Sequence, residues 1–338
     1  MFSELTLQQE LARIERIAHL ALASYGPVYQ GQLQLLCHSE NATCAVTTPR
    51  GQRYVLRVHR PDYHARSAIA SELAWLAALQ QADIEVPVAI AGADGELIQA
   101  AGDAQSGTRF VVLFHWIDGH EPDPQQALGP AFQRLGTINA RLHRQARDWQ
   151  RPAGFQRITW NHPSMLGEHG HWGRWQAAPY LDAAATALVD ETVSLIGQRM
   201  AGYGEGPERF GLIHADLRLA NLLEHDGRTR AIDFDDCGFG WYLHDLAAAL
   251  SFHEHHADVP MWLDNWLLGY ERVARLERDD LLILPTLIMQ RRLQLLAWFG
   301  SHRGTPTAEG LGREWVGSTL QLCQRYLRGK PVGAVIAD

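Results

Sequence analysis

Residues 213–221 read Ile-His-Ala-Asp-Leu-Arg-Leu-Ala-Asn, and residues 231–236 read Ala-Ile-Asp-Phe-Asp-Asp. Both stretches set oxygen-bearing side chains, namely Asp216, Asn221 and Asp233, on short turns between apolar runs. Carboxylate and amide oxygens are the ligands that hard divalent cations prefer in proteins. The two stretches therefore predict a polar functional site in the middle of the chain.

The spacing of these three side chains is that of a phosphoryl-transfer site. Asp216 and Asn221 repeat the spacing of the kinase loop H-R-D-L-x-x-x-N, and Asp233 falls where the Asp of D-F-G would fall. Phosphoryl transfer needs an acidic group to orient a hydroxyl, together with oxygen ligands for Mg²⁺. Taken alone, Asp216 could be an aspartate that caps a turn, but its combination with Asn221 and Asp233 favours a catalytic role.

Composition and length exclude several other classes of protein. A chain of 338 residues is long enough for two lobes with separate cores, and its net charge of -8 argues against non-specific nucleic-acid binding. Four cysteines without a C-x-x-C pair indicate reduced thiols. We expect no signal peptide, because the first residues lack a basic region followed by an apolar one. No apolar run reaches the ~18–20 residues of a membrane span. We therefore expect a cytoplasmic protein with no membrane segment and no nucleic-acid partner.

The first third of the chain predicts a small antiparallel sheet. Apolar residues recur at helical spacing over residues 4–24 and again over 63–82. Strand-like segments occupy residues 30–37, 43–48, 52–59, 86–90, 96–100 and 108–117. The polar, proline-bearing segment 118–124 breaks the pattern, so we predict one lobe over residues 1–117 and a second over residues 118–338.

The remainder predicts a mainly helical lobe. Helical patterns cover residues 125–147, 180–200, 241–255, 259–275, 279–301 and 308–328, and two short strand-like pieces flank Asp226-Gly227. Strands first and helices after give an α+β fold. Asp233 and Asp235 alternate along a segment that we expect to be extended, so both side chains would face one side.

These motifs resemble those of the aminoglycoside phosphotransferase and choline kinase family, whose members have a two-lobed protein-kinase-like fold. The resemblance covers about residues 30–300. It rests on His-x-Asp-x-x-x-x-Asn at 214–221, Ile-Asp-Phe-Asp-Asp at 232–236, and Gly-Phe-Gly at 238–240 followed by Asp-Leu-Ala at 245–247. Residues 54–78 are also similar to the branch that holds the bacterial stress-response kinase and type II homoserine kinase-like proteins.

The resemblance implies roles for the central residues, with ATP and Mg²⁺ as cofactors. Asp216 would accept the proton of the acceptor hydroxyl, and Arg218 would contact the transferred phosphate. The metal ligands would be Asn221 and Asp233, and Asp235 would be a further metal ligand or a contact of the substrate. His214 and Asp245 would brace the loop rather than contact substrate.

The same resemblance implies nucleotide binding by the first lobe. Arg57 stands where kinases have a lysine paired with a glutamate, and Glu72 is at the matching place on the next helix. Arginine is longer and planar, so the exchange is not neutral; a surface arginine beside a helix glutamate is the alternative. The loop over the phosphates would contain Ser39, Asn41 and Thr43 but no glycine, and the hinge would include His115 and Trp116.

The acceptor is predicted only by class. No A-P-E-bounded activation segment separates Asp233 from the next helix, which favours the hydroxyl of a small molecule such as an aminoglycoside, amino alcohol, homoserine or sugar. A protein Ser/Thr kinase of the stress-response type is the first alternative, and a nucleotide-binding scaffold without turnover is the second. The sequence makes no prediction about oligomeric state.

Overall fold

The computed structural model describes residues 7–38, 41–122, 127–303 and 305–332. This part of the chain forms two compact units. The first contains the described residues up to Asp118 together with Arg151–Gln156, and the second contains Gly119–Gln150 and the described residues from Arg157 onward. The predicted division of labour, with nucleotide binding in residues 1–117 and acceptor binding in residues 118–338, stays a prediction.

The first unit is an antiparallel sheet with two helices. Its elements are α1 (Leu7–Leu22), β1 (Gln32–His38), β2 (Ala42–Thr47), β3 (Arg53–Val58), α2 (Arg66–Gln81), β4 (Ala89–Ile90), β5 (Gln99–Asp103) and β6 (Gly107–His115). The strand order is β1-β2-β3-β6-β4, and β5 also pairs with β6. The nine-residue β6 therefore holds β3 along one edge and both β4 and β5 along the other.

Helix α1 covers one face of this sheet because its apolar residues recur every three or four positions. Ile14, Ile17, Ala18 and Ala21 are all buried in one cluster with side chains from β2, β3 and β6. Tyr25, just after the helix, donates its hydroxyl to the Val111 carbonyl and accepts the Leu113 N–H. The helix is thus tied to the backbone of β6.

The second unit is mainly helical. Its helices are α3 (Gly129–Asp148), α4 (His162–Leu166), α5 (Ala183–Tyr203), α6 (His244–Ala249), α7 (Val259–Tyr270), α8 (Arg278–Ser301) and α9 (Pro306–Leu327). Its strands are β7 (Thr159–Trp160), β8 (Phe210–Ile213), β9 (Leu222–His225), β10 (Arg228–Ala231) and β11 (Gly238–Trp241). In the three-stranded sheet, β11 lies between β7 and β8, parallel to the first and antiparallel to the second.

Two features of this unit position the central loops. Strands β9 and β10 form a two-residue hairpin in which Asp226 and Gly227 both have positive φ, as a type I′ turn requires. Helix α8 is buried from Ile283 to Phe299, and α4, α5, α6 and α9 pack around it. A helix buried on all sides has no polar face, so any polar residue in its middle needs a partner.

The helix predicted over residues 241–255 is wrong in extent. Trp241 belongs to β11, where backbone pairing with β8 on one edge and β7 on the other takes precedence over helical propensity. The helix found there is α6, with six residues. Turns follow it, and Phe252 has a φ of 73°, which an α-helix does not allow.

Candidate active site

The loop that follows β8 is held by a single buried carboxylate on α6. Asp245 Oδ1 accepts the N–H of Ala215 at 2.7 Å, and Oδ2 accepts the N–H of His214 at 3.2 Å. These bonds hold a turn in which Ala215 has a φ of 70°. The predicted bracing role of Asp245 is therefore confirmed.

A chain of buried polar groups continues from Asp245 into α3 and α7. In its neutral form, His143 donates Nε2–H to Asp245 Oδ2 at 2.9 Å and accepts the Tyr270 hydroxyl at Nδ1, 3.0 Å away. Burial lowers the pKa of His143, so the ring stays neutral. Burial alone would raise the pKa of Asp245, but the hydrogen bond from His143 holds it below its usual range.

His214 is a brace and not a base. Its ring is completely buried, lies 4.4 Å from the Phe234 ring, and donates Nε2–H to the Ile232 carbonyl at 3.1 Å. Burial lowers the pKa of His214. The imidazole thus joins the segment before Asp233 to the loop that carries Asp216, which is a bracing role of the kind that the resemblance implied.

The carboxylate of Asp216 is the centre of the loop. Its Oδ2 accepts Asn221 Nδ2 at 3.1 Å and Arg218 Nε at 3.3 Å, and its Oδ1 accepts Arg291 Nη2 at 2.5 Å. Asn221 Nδ2 also donates to the Asp216 carbonyl at 2.8 Å. The structure therefore brings together three of the residues that the sequence singled out, and it adds Arg291.

A backbone hydrogen bond joins the segment that carries Asp233 to Asn221. The Ile232 N–H donates to the Asn221 carbonyl at 2.9 Å. Both side-chain bonds of Asn221 come from Nδ2, which leaves its Oδ1 as the atom that could hold a cation. Asp233 is exposed and has a φ of 62°, a left-handed conformation that aspartate adopts more readily than most residues other than glycine.

The expected extended segment from Asp233 to Asp235 is wrong. Asp233 has a positive φ and Asp235 lies in a turn, so side chains do not alternate between two faces there. The Asp235 side chain is buried, and Arg157 donates to its carbonyl and to that of Cys237. The metal-binding roles of these aspartates stay predictions.

In the first unit, the expected pairing of Arg57 with Glu72 is present. Arg57 Nη2 lies 2.6 Å from Glu72 Oε1, and both side chains are almost completely buried. The guanidinium carbon is also 5.1 Å from the centre of the Phe114 ring. This buried pair joins β3 to α2, so Arg57 is not a surface residue of the sheet.

The residues near the expected phosphate loop differ in their surroundings. Thr43 is directly opposite Arg57 in the β2–β3 ladder, so their side chains share a face of the sheet. The buried Asn41 uses its Oδ1 to accept the Arg60 N–H at 2.9 Å. Ser39 lies outside the described residues.

Of the expected hinge residues, His115 is the last residue of β6 and Trp116 follows it. The backbone N–H of His115 donates to the carbonyl of Val88, just before β4, at 2.9 Å, so this N–H already has a partner within the first unit. The Trp116 indole donates to Asp118 at 3.0 Å, and the guanidinium of Arg53 lies 3.5 Å above its ring. Whether either residue contacts a nucleotide stays a prediction.

Comparison with known proteins identifies the family. A family model described as "Phosphotransferase enzyme family" matches residues 35–282. The chain belongs to this family. As a family member, it is an enzyme that transfers a phosphoryl group to a hydroxyl of a small molecule.

Individual relatives agree with that assignment. The phosphotransferase is 41% identical to a solved microcompartment-associated aminopropanol kinase, with a TM-score of 0.86 and coverage of 94% of this chain and 98% of that one. It is 21% identical over 290 residues to amicoumacin kinase of Bacillus subtilis (strain 168), with 82% of each chain covered. A solved amicoumacin kinase, in complex with AMP-PNP, Ca²⁺ and Ami, has a TM-score of 0.76 at 21% identity and 97% coverage of both chains. These structures confirm the predicted α+β, protein-kinase-like fold.

The length and hydropathy of the helices bear on membrane crossing. Within the described ranges, the phosphotransferase has no helix that is both long enough and apolar enough to pass through a bilayer.

Sequence reasoning missed two residues that contact the loop machinery of this phosphotransferase. Arg291 on α8 is 75 positions from Asp216, and His143 on α3 is 102 positions from Asp245. The adjacent Arg291 and Arg292 inside a mainly apolar helix were a usable signal, because charged residues are almost never fully buried without partners. No comparable signal marked His143.

Proposed function

We propose that this phosphotransferase moves the γ-phosphoryl group of ATP, with Mg²⁺, to the hydroxyl of a small amino alcohol. The observation that carries the proposal is the Asp216 carboxylate, held beside Asn221 in a loop that the buried Asp245 braces. The choice of acceptor is supported by the 41% identity to an aminopropanol kinase over 94% of this chain. The proposal concerns acceptor and cofactors, since the enzyme class follows from the family.

Asp216 acts as the base in this proposal. As the acceptor oxygen forms its bond to the γ-phosphorus, the hydroxyl proton passes to the Asp216 carboxylate, and the bond from the γ-phosphorus to the bridging oxygen breaks, so that ADP leaves. Arg218, whose Nε is 3.3 Å from Asp216 Oδ2, is close enough to the base to neutralise charge that builds on the transferred group.

The donor set fits Mg²⁺. Asn221 offers Oδ1, and Asp233 offers an exposed carboxylate one residue after the Ile232–Asn221 backbone bond. These are hard oxygen ligands, and Mg²⁺ usually takes few ligands from the protein. Asp235, which closely follows Asp233 in the chain, is buried. We keep it as a third candidate ligand. The ion, when bound, would neutralise phosphate charge.

Nucleotide binding is assigned to residues of the first unit. Arg57, held by Glu72 at 2.6 Å, replaces the usual lysine and offers a planar fork to phosphate oxygens. Thr43 faces the same side of the sheet. Ser39, Asn41, His115 and Trp116 complete the proposed set, in which Asn41 and His115 have the structural bonds described above.

A panel of acceptors tests the proposal directly. ATP consumption is measured with aminopropanol, ethanolamine, choline, homoserine, a sugar alcohol and an aminoglycoside, in the presence and absence of Mg²⁺. We expect turnover with an amino alcohol that stops when the metal is chelated. Turnover confined to another hydroxyl class, labelling of a protein, or ATP binding without turnover would each contradict the proposed acceptor.

A further inference from the structure

Arg291 is a completely buried cation at the centre of α8, and four groups hold its guanidinium. Nη2 lies 2.5 Å from Asp216 Oδ1, Nε donates to Ser251 Oγ at 2.9 Å, and Nη1 donates to Gln294 Oε1 at 3.2 Å. The guanidinium carbon lies 5.0 Å from the centre of the Trp172 ring. A charge buried this deeply is stable only with such partners, so its position is closely determined.

The bonds to Asp216 leave one acceptor position open. A carboxylate has about four lone-pair positions, two on each oxygen. Asn221 and Arg218 use two on Oδ2, and Arg291 uses one on Oδ1. Among the described residues, no other donor reaches this carboxylate, so the remaining position is on Oδ1, the oxygen that Arg291 holds.

We propose that Arg291 is a positioning residue for the base, fixing the Asp216 carboxylate so that the open position of Oδ1 is directed at the acceptor hydroxyl. This inference rests on the proposed function, because it requires Asp216 to take the hydroxyl proton. The proton passes to Oδ1 as the acceptor oxygen bonds to the γ-phosphorus and ADP leaves. Arg291 itself contacts neither reactant and acts through Asp216.

The chemistry of the site requires arginine rather than another cation. Three nitrogens of one planar group bind Asp216, Ser251 and Gln294 at once. The single nitrogen of lysine is a point charge on a flexible stem and cannot keep these three directions together. Lysine at position 291 would therefore keep the charge and lose the orientation.

The neighbouring arginine is a matched control. Arg292 lies on the same helix and is equally buried, but its guanidinium binds Glu254 at 2.5 Å and Thr319 at 2.8 Å, and lies 3.8 Å from the centre of the Trp315 ring. These contacts join α8 to α9 and to the segment after α6. Arg292 thus has the same burial and charge as Arg291 without a bond to the Asp216 loop.

The first experiment compares Arg291→Gln, Arg291→Lys and Arg292→Lys by steady-state kinetics and thermal unfolding. We expect kcat to fall about 100-fold in Arg291→Gln and about tenfold in Arg291→Lys, because small misplacement of a reacting group has effects of this size. KM for ATP should stay within about twofold, because the change is in orientation of the base. Arg292→Lys should lower the Tm and leave the kcat of the folded enzyme unchanged.

Two results would overturn the inference. One is a kcat in folded Arg291→Gln within about threefold of the wild-type value. The other is a parallel loss of kcat in Arg292→Lys at equal loss of Tm, which would mean that α8 stability alone controls turnover.

A second variant covers the case in which Arg291→Gln does not fold. Ser251→Ala combined with Gln294→Met keeps the arginine and its charge but removes two of its anchors. We expect kcat to fall about tenfold with KM for ATP unchanged; an unchanged kcat overturns the inference. Wild-type enzyme assayed with the acceptor panel separates the two proposals, since an inactive wild type contradicts the function, and an active wild type with active Arg291 variants contradicts only the positioning.

Discussion

At the scale of single residues, the proposed function of this phosphotransferase depends on the carboxylate of Asp216. We expect Asp216→Asn to lower kcat by about 10²–10⁴-fold, because an amide cannot take the hydroxyl proton. ATP affinity should change little, since the amide keeps the size and shape of the side chain. Steady-state kinetics and calorimetric ATP binding check both expectations.

Asp226→Asn is the control for that substitution. Asp226 is in the exposed β9–β10 turn with a φ of 49°, which asparagine tolerates well. Its kcat should equal that of the wild type. Near-normal turnover of Asp216→Asn beside an intact control would refute the assignment of the base.

Arg218 gives a second prediction at this scale. Removing its charge by Arg218→Ala should lower kcat at least about tenfold, because charge develops on the phosphoryl oxygens during transfer. The exposed Arg275, mutated to Ala, is the control for loss of one positive charge. Equal kcat values for the two variants, from the same acceptor assay, would remove Arg218 from the mechanism.

At the scale of elements, helices α3 and α7 approach closely at two glycines. A Cβ on Gly136 would lie 2.0 Å from the Trp266 carbonyl oxygen, and a Cβ on Gly269 would lie 1.9 Å from that of Gln133. Both clashes are with backbone, which cannot move aside as a flexible side chain can. This close packing positions α7 against α3. Tyr270 on α7 is hydrogen-bonded to His143 on α3, and His143 is hydrogen-bonded to Asp245, the carboxylate that braces the Asp216 loop.

Gly269→Ala should therefore destabilise the fold by about 2 kcal/mol or more, since overpacking forces the backbones apart. Gly202→Ala in α5 is the matched control, because its Cβ would meet nothing within 4 Å. Alanine has the better helix propensity, so this variant should be more stable by about 0.5–1 kcal/mol. Urea unfolding of both variants measures the difference, and equal effects would contradict the close-packing argument.

At the scale of the whole molecule, histidines that the fold keeps neutral should make the protein less stable in acid. His143, His214 and His244 are completely buried, and burial lowers the pKa of each; with the charge of Arg291 nearby, that of His244 falls to about 3. In the unfolded chain each has a pKa of about 6.5. Below that pH the unfolded state binds more protons, so the free energy of unfolding decreases as pH falls.

The expected slope is up to about 1.4 kcal/mol per pH unit for each such histidine between pH 6.5 and its folded pKa. Urea unfolding at pH 7.5, 6.5 and 5.5 measures it. His244→Asn should reduce this slope by up to about 1.4 kcal/mol per pH unit, which is the contribution of one bound proton. A free energy of unfolding that stays constant or increases on acidification would contradict the prediction.

The sequence predicted the elements where hydrophobic period and turn residues agree. The strands β2, β3 and β6, helices α2, α5 and α8, and the Asp226-Gly227 turn all lie where local pattern placed them. Prediction was wrong at residues 241–255, because β11 pairs with strands from two distant parts of the chain. It was also wrong at Asp233 to Asp235, because a positive φ is set by surrounding contacts and not by local propensity.

By itself, the sequence determined the family and the type of chemistry through the motifs at residues 214–221, 232–236, 238–240 and 245–247. Such motifs are local because phosphoryl transfer needs an acidic group and oxygen ligands at short, defined separations in the chain. Only the tertiary structure decided which groups surround the Asp216 carboxylate. Arg291 reaches Asp216 across 75 positions, and His143 reaches Asp245 across 102. A buried charge takes whichever partner packing places within about 3 Å, and no local pattern in a single sequence encodes that distance.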